Sequence, residues 1–587
     1  MVKGGVINQR LPIVQNLESF LVKQFPAWKN EIIFQEPPET AETQGFDIAI
    51  PCFTLSKTLK KAPPQIALEV AEALRGSTGP LLLERVEVLK AFVNIRFKAE
   101  ALGAELSNLN PKILGSTALA LKGQKYAVDF SSPNIAKPFG IGHLRSTNIG
   151  AAICRILSAL GGEVVRINHL GDWGTQFGKM ITAYKRFGSA EFVRGDPVNN
   201  LYKLYVEFHE KEKNDPALLD EARDWFVKLE QGHPEALELW KWFKDVSYHE
   251  FKRIYDKLKV DFDYITGESF YNHLMDKSVE RLEKANLLKE SEGAKIVDLE
   301  PYGLPPCLIK KSDGSTLYAT RDIATAEYRM KTFQPTYLVY VVGGEQTLHF
   351  KQVFKVLSLL GYSWAEKNAV HVSFGLIKFP EGKMSTRKGN IILLEDVLKQ
   401  AEQRSLEIIE EKEKEKPVEK RLSEDERQGA AAMIGTGAVI FFDLHAKRVK
   451  DILFDWKTIL SFEGDSGPYL QYTSVRLNAL LERAKAQGED LVSDVSISLT
   501  SEEERKLANT LLRFPAMLEA AARDFEPSMV SHELLELSAC FNRFYMNVPI
   551  LKGDKELKAS RLKLVRMTQD TLRFGLGLLG IDCPEKM

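Results

Sequence analysis

The pattern of hydrophobic and polar positions changes character twice along the chain. Over residues 1 to about 108, helically spaced apolar positions at 14–25 and 64–74 alternate with β-like segments at 46–51 and 86–97. Prolines open the second helix, and the last segment is rich in Val, Ile and Phe, so a small separate α+β module is expected. Residues 108–122 then read as a linker. From residue 125 the rhythm becomes strand, helix, strand. Strands are expected at 126–132 and 163–170 around a helix at about 142–160, and again at 336–342 and 369–375 around a helix at about 348–360. This alternation predicts a Rossmann-type, doubly wound parallel sheet. The roughly 150 residues between its halves are mostly helical and charged by pattern, and read as an insertion at about 180–300. After about residue 394 the strand signal fades. A charge run at 402–427 predicts a solvated helix broken at Pro417, and helix follows helix from 428 to the end. There Leu470, Val475, Leu477 and Leu481 fall near one apolar face. The expected fold class is multidomain α/β: an N-terminal α+β domain (1–108), a Rossmann domain with its insertion (109–394), a helical linker (395–466) and an all-α C-terminal domain (467–587).

Composition adds boundaries to this picture. A chain of 587 residues exceeds one hydrophobic core, which fits several domains. With 44% hydrophobic and 27% charged residues and a net charge of −1, any surface for a polyanion must be local. One candidate is 541–587, where nine lysines and arginines stand against five acidic residues, although a solvated helix face explains them equally. The five cysteines are scattered without a C-x-x-C pair, which supports neither a disulfide framework nor a zinc site. The opening segment MVKGGVINQR lacks the apolar core of a signal peptide, and the longest uncharged apolar run, about 429–442, is short of the ~20 residues a membrane span needs. A soluble, cytoplasmic protein with no membrane or DNA partner and no protein-held metal is expected.

Two segments carry chemistry. In VDFSSPNIAKPFGIGHLRST (128–147), a strand runs through a Pro/Gly turn into a helix. The free N–H groups at that helix start suit phosphates. Gly140 and Gly142 let backbone approach a ligand closely, and His143 can donate a hydrogen bond to it. About 240 residues later, KFPEGKMSTRKGN (378–390) follows the last expected parallel strand. Its Lys383, Arg387 and Lys388 can close over a triphosphate and neutralise charge as pyrophosphate leaves. Taken singly, each segment reads as a packed turn or an exposed basic loop. Their pairing is what carries information.

Together they resemble the HIGH and KMSKS signatures of class I aminoacyl-tRNA synthetases, standing here as Gly140-Ile141-Gly142-His143 and Lys383-Met384-Ser385-Thr386-Arg387. DFSSPNIAKP, GHLRST, NHLGDWGTQFG (168–178) and LYATRDIATAEYR (317–329) are similar to arginyl-tRNA synthetases in particular. The resemblance extends over nearly the whole chain. It implies an arginine–tRNA ligase that activates L-arginine with ATP, Mg2+ being the counter-ion, and passes arginine to the terminal adenosine of tRNA(Arg). It further implies a monomer, an anticodon-binding C-terminal domain and an N-terminal domain that reads the D-loop of the tRNA.

For the site, the resemblance implies that Ser131, Pro133, Gly140, Gly142, His143, Met384 and Ser385 bind ATP. Asp129 and Asp322 would face the guanidinium of arginine, Tyr318 and Gln346 would shape its pocket, and Asn134 would hold its α-amino or carboxylate end. The chemistry agrees: a guanidinium is a rigid fork of five donors that keeps its charge, so it calls for carboxylates in its plane. Two positions depart from the family pattern. Gly140 replaces the first histidine of HIGH, and Thr386 replaces the second lysine of KMSKS. Arginyl enzymes often carry a lysine just before HIGH, and Lys137 fits, so His143, Lys137, Lys383 and Lys388 form the expected catalytic set. Tyr469, Tyr472, Phe541 and Tyr545 suit either base stacking or core packing. The alternatives are a non-catalytic tRNA-binding relative, for which Gly140 and Thr386 argue, and another HIGH-type nucleotidyltransferase, against which the two flanking domains argue.

Overall fold

The computed structural model describes residues 11–29, 31–37, 40–77, 81–109, 115–312, 318–379, 392–489 and 495–587. Its contacts divide the chain into two compact units: Met1–Ala120 with Lys420–Ala430 and Ser461–Met587, and Leu121–Glu419 with Ala431–Leu460.

In the first unit, β1 (Ile48–Pro51), β2 (Leu83–Leu89) and β3 (Phe92–Phe97) form an antiparallel sheet in the order β1-β3-β2. A two-residue turn joins β2 to β3, with Lys90 at a φ of 56°. The C-terminal part is a set of four long helices, Gly467–Ala486, Glu502–Arg523, Ser528–Asn547 and Lys555–Leu579. The second of them starts on a capping box, in which Ser501 accepts from the Glu504 N–H and the Glu504 carboxylate accepts from the Ser501 N–H. One turn later its Arg505 grips Asp47, beside β1, with Nε and Nη2 donating to the two carboxylate oxygens at 2.9 and 2.7 Å. Asn509 and the Phe97 N–H also donate to Asp47, at 2.8 and 2.7 Å. The two charged side chains are only 4% and 2% exposed. Removing one partner of such a pair strands the other charge in the interior, so Arg505→Ala is expected to destabilise this unit by about 3–5 kcal/mol. A lower urea midpoint for the unit's unfolding would show it. A loss below ~1 kcal/mol would mean that the pair behaves as a solvated surface bridge.

The second unit is built on a five-stranded, all-parallel sheet. Its strands are β4 (Lys125–Asp129), β5 (Glu163–Asn168), β6 (Tyr264–Ile265), β10 (Tyr337–Gly343) and β11 (Ala369–Phe374), in the order β11-β10-β4-β5-β6. The winding direction reverses between β4 and β10. In an open α/β sheet, ligands bind outside the carboxyl ends of the strands at that reversal. Here it falls where Asp129 lies beside Tyr340.

The Leu144–Ala159 helix that follows β4 is buried without a break from Leu144 to Cys154. Arg145, in its first turn, donates to Asp443 at 2.9 Å and to the carbonyls of Gly375 and Lys450 at 2.9 and 2.8 Å. Residues around 443–450 therefore fold with the sheet.

The insertion contains the expected helices: Thr175–Phe187, Pro197–Lys211, Ala217–Glu230, Pro234–Leu258 and Glu268–Lys284. It also contains strands that the pattern does not announce. β6 returns to the edge of the parallel sheet, and β7 (Leu288–Ser291), β8 (Ala294–Val297) and β9 (Cys307–Lys310) make a small antiparallel sheet. Runs of four residues or fewer, studded with Lys, Glu and Ser, show too little alternation to read. The same holds for β12 (Ile377–Lys378) and β13 (Ile452–Leu453), which pair in parallel. The charge run breaks around Pro417, with the Leu394–Lys414 helix ending before it and the Glu424–His445 helix starting after it. Among the described residues, no helix is long and apolar enough to cross a membrane.

Candidate active site

Beyond β4 the chain makes a strained loop. Ser131, Ser132 and Ala136 have φ values of 71°, 48° and 59°. Such conformations cost about 1–3 kcal/mol each for residues other than glycine, so their surroundings must hold them. The Ser131 N–H donates to Ser146 Oγ at 2.9 Å, and Ser131 Oγ lies 2.8 Å from both Thr147 Oγ1 and the Tyr255 hydroxyl. Further on, the loop pairs with Gly171: its N–H donates to the Pro133 carbonyl, and its carbonyl accepts from the Ile135 N–H, both at 3.1 Å. A Cβ at position 171 would stand 2.1 Å from Asn134 Oδ1 and 3.3 Å from its Cα, so any other residue would displace the Asn134 side chain. Ser131 and Pro133 are buried, and Asn134 is exposed.

Gly140 caps a 3-10 turn, Ile141–His143, that leads into the Leu144–Ala159 helix. A Cβ at Gly142 would meet open space, so a ligand can approach this backbone. His143 is half-buried, with Nδ1 3.2 Å from the Gly140 carbonyl. Burial, aided by the charge of Lys137, holds its pKa below the ordinary histidine value. The Lys137 ammonium sits 5.8 Å from the centroid of the Tyr205 ring, and burial lowers its pKa as well. Lys383, Met384, Ser385, Thr386, Arg387 and Lys388 lie outside the described residues.

Beside this corner is a group of four carboxylates with their cations. Asp129 accepts from Arg329 Nη1 at 2.7 Å, and Arg329 is fully buried, 5.5 Å from the Tyr340 ring centroid and 5.9 Å from that of Tyr271. Asp172 pairs with Lys244 at 2.7 Å, and Glu268 with Arg321 at 3.2 Å. Asp322 instead faces His349 Nε2 at 2.5 Å. Burial, reinforced by Asp322 and Asp172, pushes the Glu268 carboxyl up to about 7 against the pull of Arg321. His169 is held below its ordinary pKa by burial, with Asp129, Asp322 and Asp172 pulling it back up. The two expected carboxylates, Asp129 and Asp322, are thus brought into one neighbourhood.

Tyr318 opens the Tyr318–Phe333 helix, is 69% exposed and has the Arg321 guanidinium 5.9 Å from its ring centroid. Gln346 is exposed in the turn that ends β10. Sequence reasoning did not pick out Arg329, His169, Asp172, Glu268 or His349. The first three stand in the quoted segments, but nothing in those words says which charge meets which.

A strand order that reverses beside a loop–GIGH–helix corner, with a carboxylate cluster next to it, defines the catalytic unit of a class I aminoacyl-tRNA synthetase. Residues 109–456 match the family described as tRNA synthetases class I (R), catalytic domain. Residues 470–587 match the DALR anticodon binding domain, and 12–97 the arginyl tRNA synthetase N terminal domain. The arginine–tRNA ligase of Clostridium perfringens is 46% identical over 548 residues, which cover 92% of this chain and 94% of that one. That of Clostridioides difficile is 44% identical over 560 residues, 95% and 96% of the two chains. The arginyl-tRNA synthetase structure from Thermus thermophilus superposes with a TM-score of 0.80 at 26% identity, over 98% of this chain and 100% of its own. The chain belongs to the arginyl-tRNA synthetase family and is an arginine–tRNA ligase.

Proposed function

We propose that the crevice at the ends of β4 and β10 makes arginyl-adenylate from L-arginine and ATP, with Asp322 receiving the substrate guanidinium. One observation carries this reading. Of the four carboxylates, Asp129, Asp172 and Glu268 each face an arginine or lysine, whereas Asp322 faces a histidine that need not be charged. Asp322 is therefore the one of the four without a permanent cation against it, and the carboxylate best placed to meet a cationic ligand. Asp129, its charge met by Arg329, offers an acceptor rather than net charge. Tyr318 and Gln346 border the guanidinium, and Asn134 holds the α-amino or carboxylate end.

ATP enters as a substrate with magnesium as its counter-ion. Its phosphates lie against Gly140, Gly142 and His143 over a floor of Ser131 and Pro133, with Met384, Ser385, Lys383 and Lys388 closing from the signature loop. With Nδ1 turned to a carbonyl, His143 donates from Nε2 as imidazolium, a form that the triphosphate charge favours. An oxygen of the arginine α-carboxylate attacks the α-phosphorus, the bond to the β-phosphate oxygen breaks, and pyrophosphate leaves. The 2′-hydroxyl of the terminal adenosine then attacks the activated carbonyl and releases AMP. The protein contributes positioning and electrostatics rather than a nucleophile.

The partner of the second step is tRNA(Arg), met by residues 467–587 at the anticodon, 1–108 at the D-loop and 395–466 along the stem. The C-terminal helices offer a fitting surface: Tyr472 is 38% and Met546 79% exposed, and Arg476 lies 5.0 and 5.4 Å from the Tyr472 and Tyr545 ring centroids. Unpaired bases stack on such aromatic and guanidinium planes. Phe541 is fully buried and belongs to the core. A cytoplasmic monomer completes the reading.

ATP–pyrophosphate exchange across the twenty amino acids, with and without tRNA, tests it. Exchange is expected with arginine alone, and only when cognate tRNA is present. Lysine should fail, because losing the fork leaves acceptors of the pocket, Asp322 among them, partly unpaired. Strong exchange with another amino acid would overturn the reading.

A further inference from the structure

The Pro234–Leu258 helix of the insertion turns one stripe, Ser247, Phe251 and Tyr255, toward the strained loop, and all three are buried. Ser247 Oγ donates back to the Phe243 carbonyl at 2.7 Å and accepts from the Ala136 N–H at 3.2 Å. The rings of Phe251 and Tyr255 meet that of Phe139 edge-on, with centroids 5.5 and 5.6 Å away, and Phe139 lies 5.1 Å from His143. The hydroxyl of Tyr255 reaches Ser131. The stripe thus holds Ser131 and Ala136, the first and last of the loop's left-handed residues.

Tyr255 is also one link of a buried chain with a direction. Asn168 Nδ2, at the end of β5, donates to the Tyr255 oxygen at 3.0 Å. Having accepted there, Tyr255 donates its proton to Ser131 Oγ at 2.8 Å, Ser131 donates to Thr147 Oγ1 at 2.8 Å, and Thr147 donates to the His143 carbonyl at 2.8 Å. With the Asn168 amide donating at one end and the His143 carbonyl accepting at the other, all four bonds form together only in this orientation. The four side chains that form it are at most 5% exposed. A tyrosine needed only for its bulk would not require its hydroxyl to join the insertion helix to Ser131 and, through it, to the first turn after GIGH.

We infer that Tyr255 is a positioning residue for adenylate formation. Through Ser131 and Thr147 it sets the loop and the His143 backbone in the geometry that meets the substrates, and Ser247 and Phe251 brace the same loop. The inference rests on the reading that this loop binds those substrates. Misplacing reacting groups by an ångström acts on rate and can cost about 100-fold.

Tyr255→Phe keeps the ring and removes one link. It is expected to lower the kcat of arginine-dependent pyrophosphate exchange, per titrated active site, by about 10- to 100-fold. The KM for tRNA should stay close to that of the unchanged protein, and the urea midpoint should fall only modestly, by what a buried Asn168 amide loses with its acceptor, leaving the protein folded under assay conditions. Thr147→Val breaks the same chain, so the double variant should lose little more than the worse single variant. Turnover per active site within about twofold of the unchanged protein would overturn the inference. So would a loss explained wholly by fewer active molecules, or additive losses in the double variant. If the unchanged protein gave no arginine-dependent exchange, the reading of the loop itself would fall; normal exchange in both proteins would sink only the role of Tyr255.

Discussion

Asp322→Asn is expected to raise the KM for arginine by about 10- to 100-fold, the loss of one charge-assisted contact to a guanidinium, with the KM for ATP nearly unchanged. The amide keeps the shape of the carboxylate and can still bond His349, so what disappears is the charge. Two consequences follow from the neighbours. The arginine KM of the unchanged protein should rise as pH falls through about 7, because Glu268, with its pKa raised to about 7, takes up a proton there and the pocket loses negative charge. In the variant that break should move to lower pH, since Asp322 is one of the charges holding the Glu268 carboxyl up. Steady-state exchange kinetics over a pH series read both effects. An arginine KM that does not move in Asp322→Asn would place the guanidinium elsewhere.

What could be read from the sequence and what could not divide along physical lines. The parallel sheet was legible because buried strands such as 337–343 are continuous apolar runs, and the helices between them carry their own periodicity. The GIGH corner was legible only through its pairing with the KMSTR segment, because a glycine turn with one histidine reads by itself as a packed turn. Partnerships were hidden, since they join distant positions. Arg329 meets Asp129 across 200 residues, and Arg505 meets Asp47 across 458. The sequence therefore names Asp129 as an acid for the site without saying that its charge is already matched. Glu268 follows a two-residue strand with no pattern of its own, and its shifted pKa depends on burial that no local word encodes. Tyr255 is the plainest case. It sits at ordinary helical spacing and reads as a core aromatic, and only the fold brings its hydroxyl to Ser131.

Lys137→Ala should lower the rate of adenylate formation by ~10²-fold or more, the scale of losing one preorganised transition-state contact. The motive is the missing lysine at Thr386, together with a lysine six residues before His143 in the loop ahead of the helix. The structure adds two facts. The charge of Lys137 acts on His143, depressing its pKa, so the two groups share one electrostatic neighbourhood. Lys137 is itself partly desolvated, with its ammonium near the Tyr205 ring, and burial lowers its pKa. A cation poorly served by water gains most when anionic oxygens arrive, and most of all as pyrophosphate separates and its charge grows. The effect on ATP affinity should accordingly be much smaller than the effect on rate. A lowered lysine pKa also means that the charge is lost earlier as pH rises, so the rate of the unchanged protein should fall on the alkaline side. Lys137→Ala should lack that limb. Single-turnover adenylate formation, followed across pH, separates these effects from tRNA binding. Adding Thr386→Lys to the variant should recover part of the rate, because a lysine restored in the signature segment supplies a charge to the same phosphates. Full activity in Lys137→Ala would leave Lys383 or Lys388 as the cation that stabilises the leaving pyrophosphate.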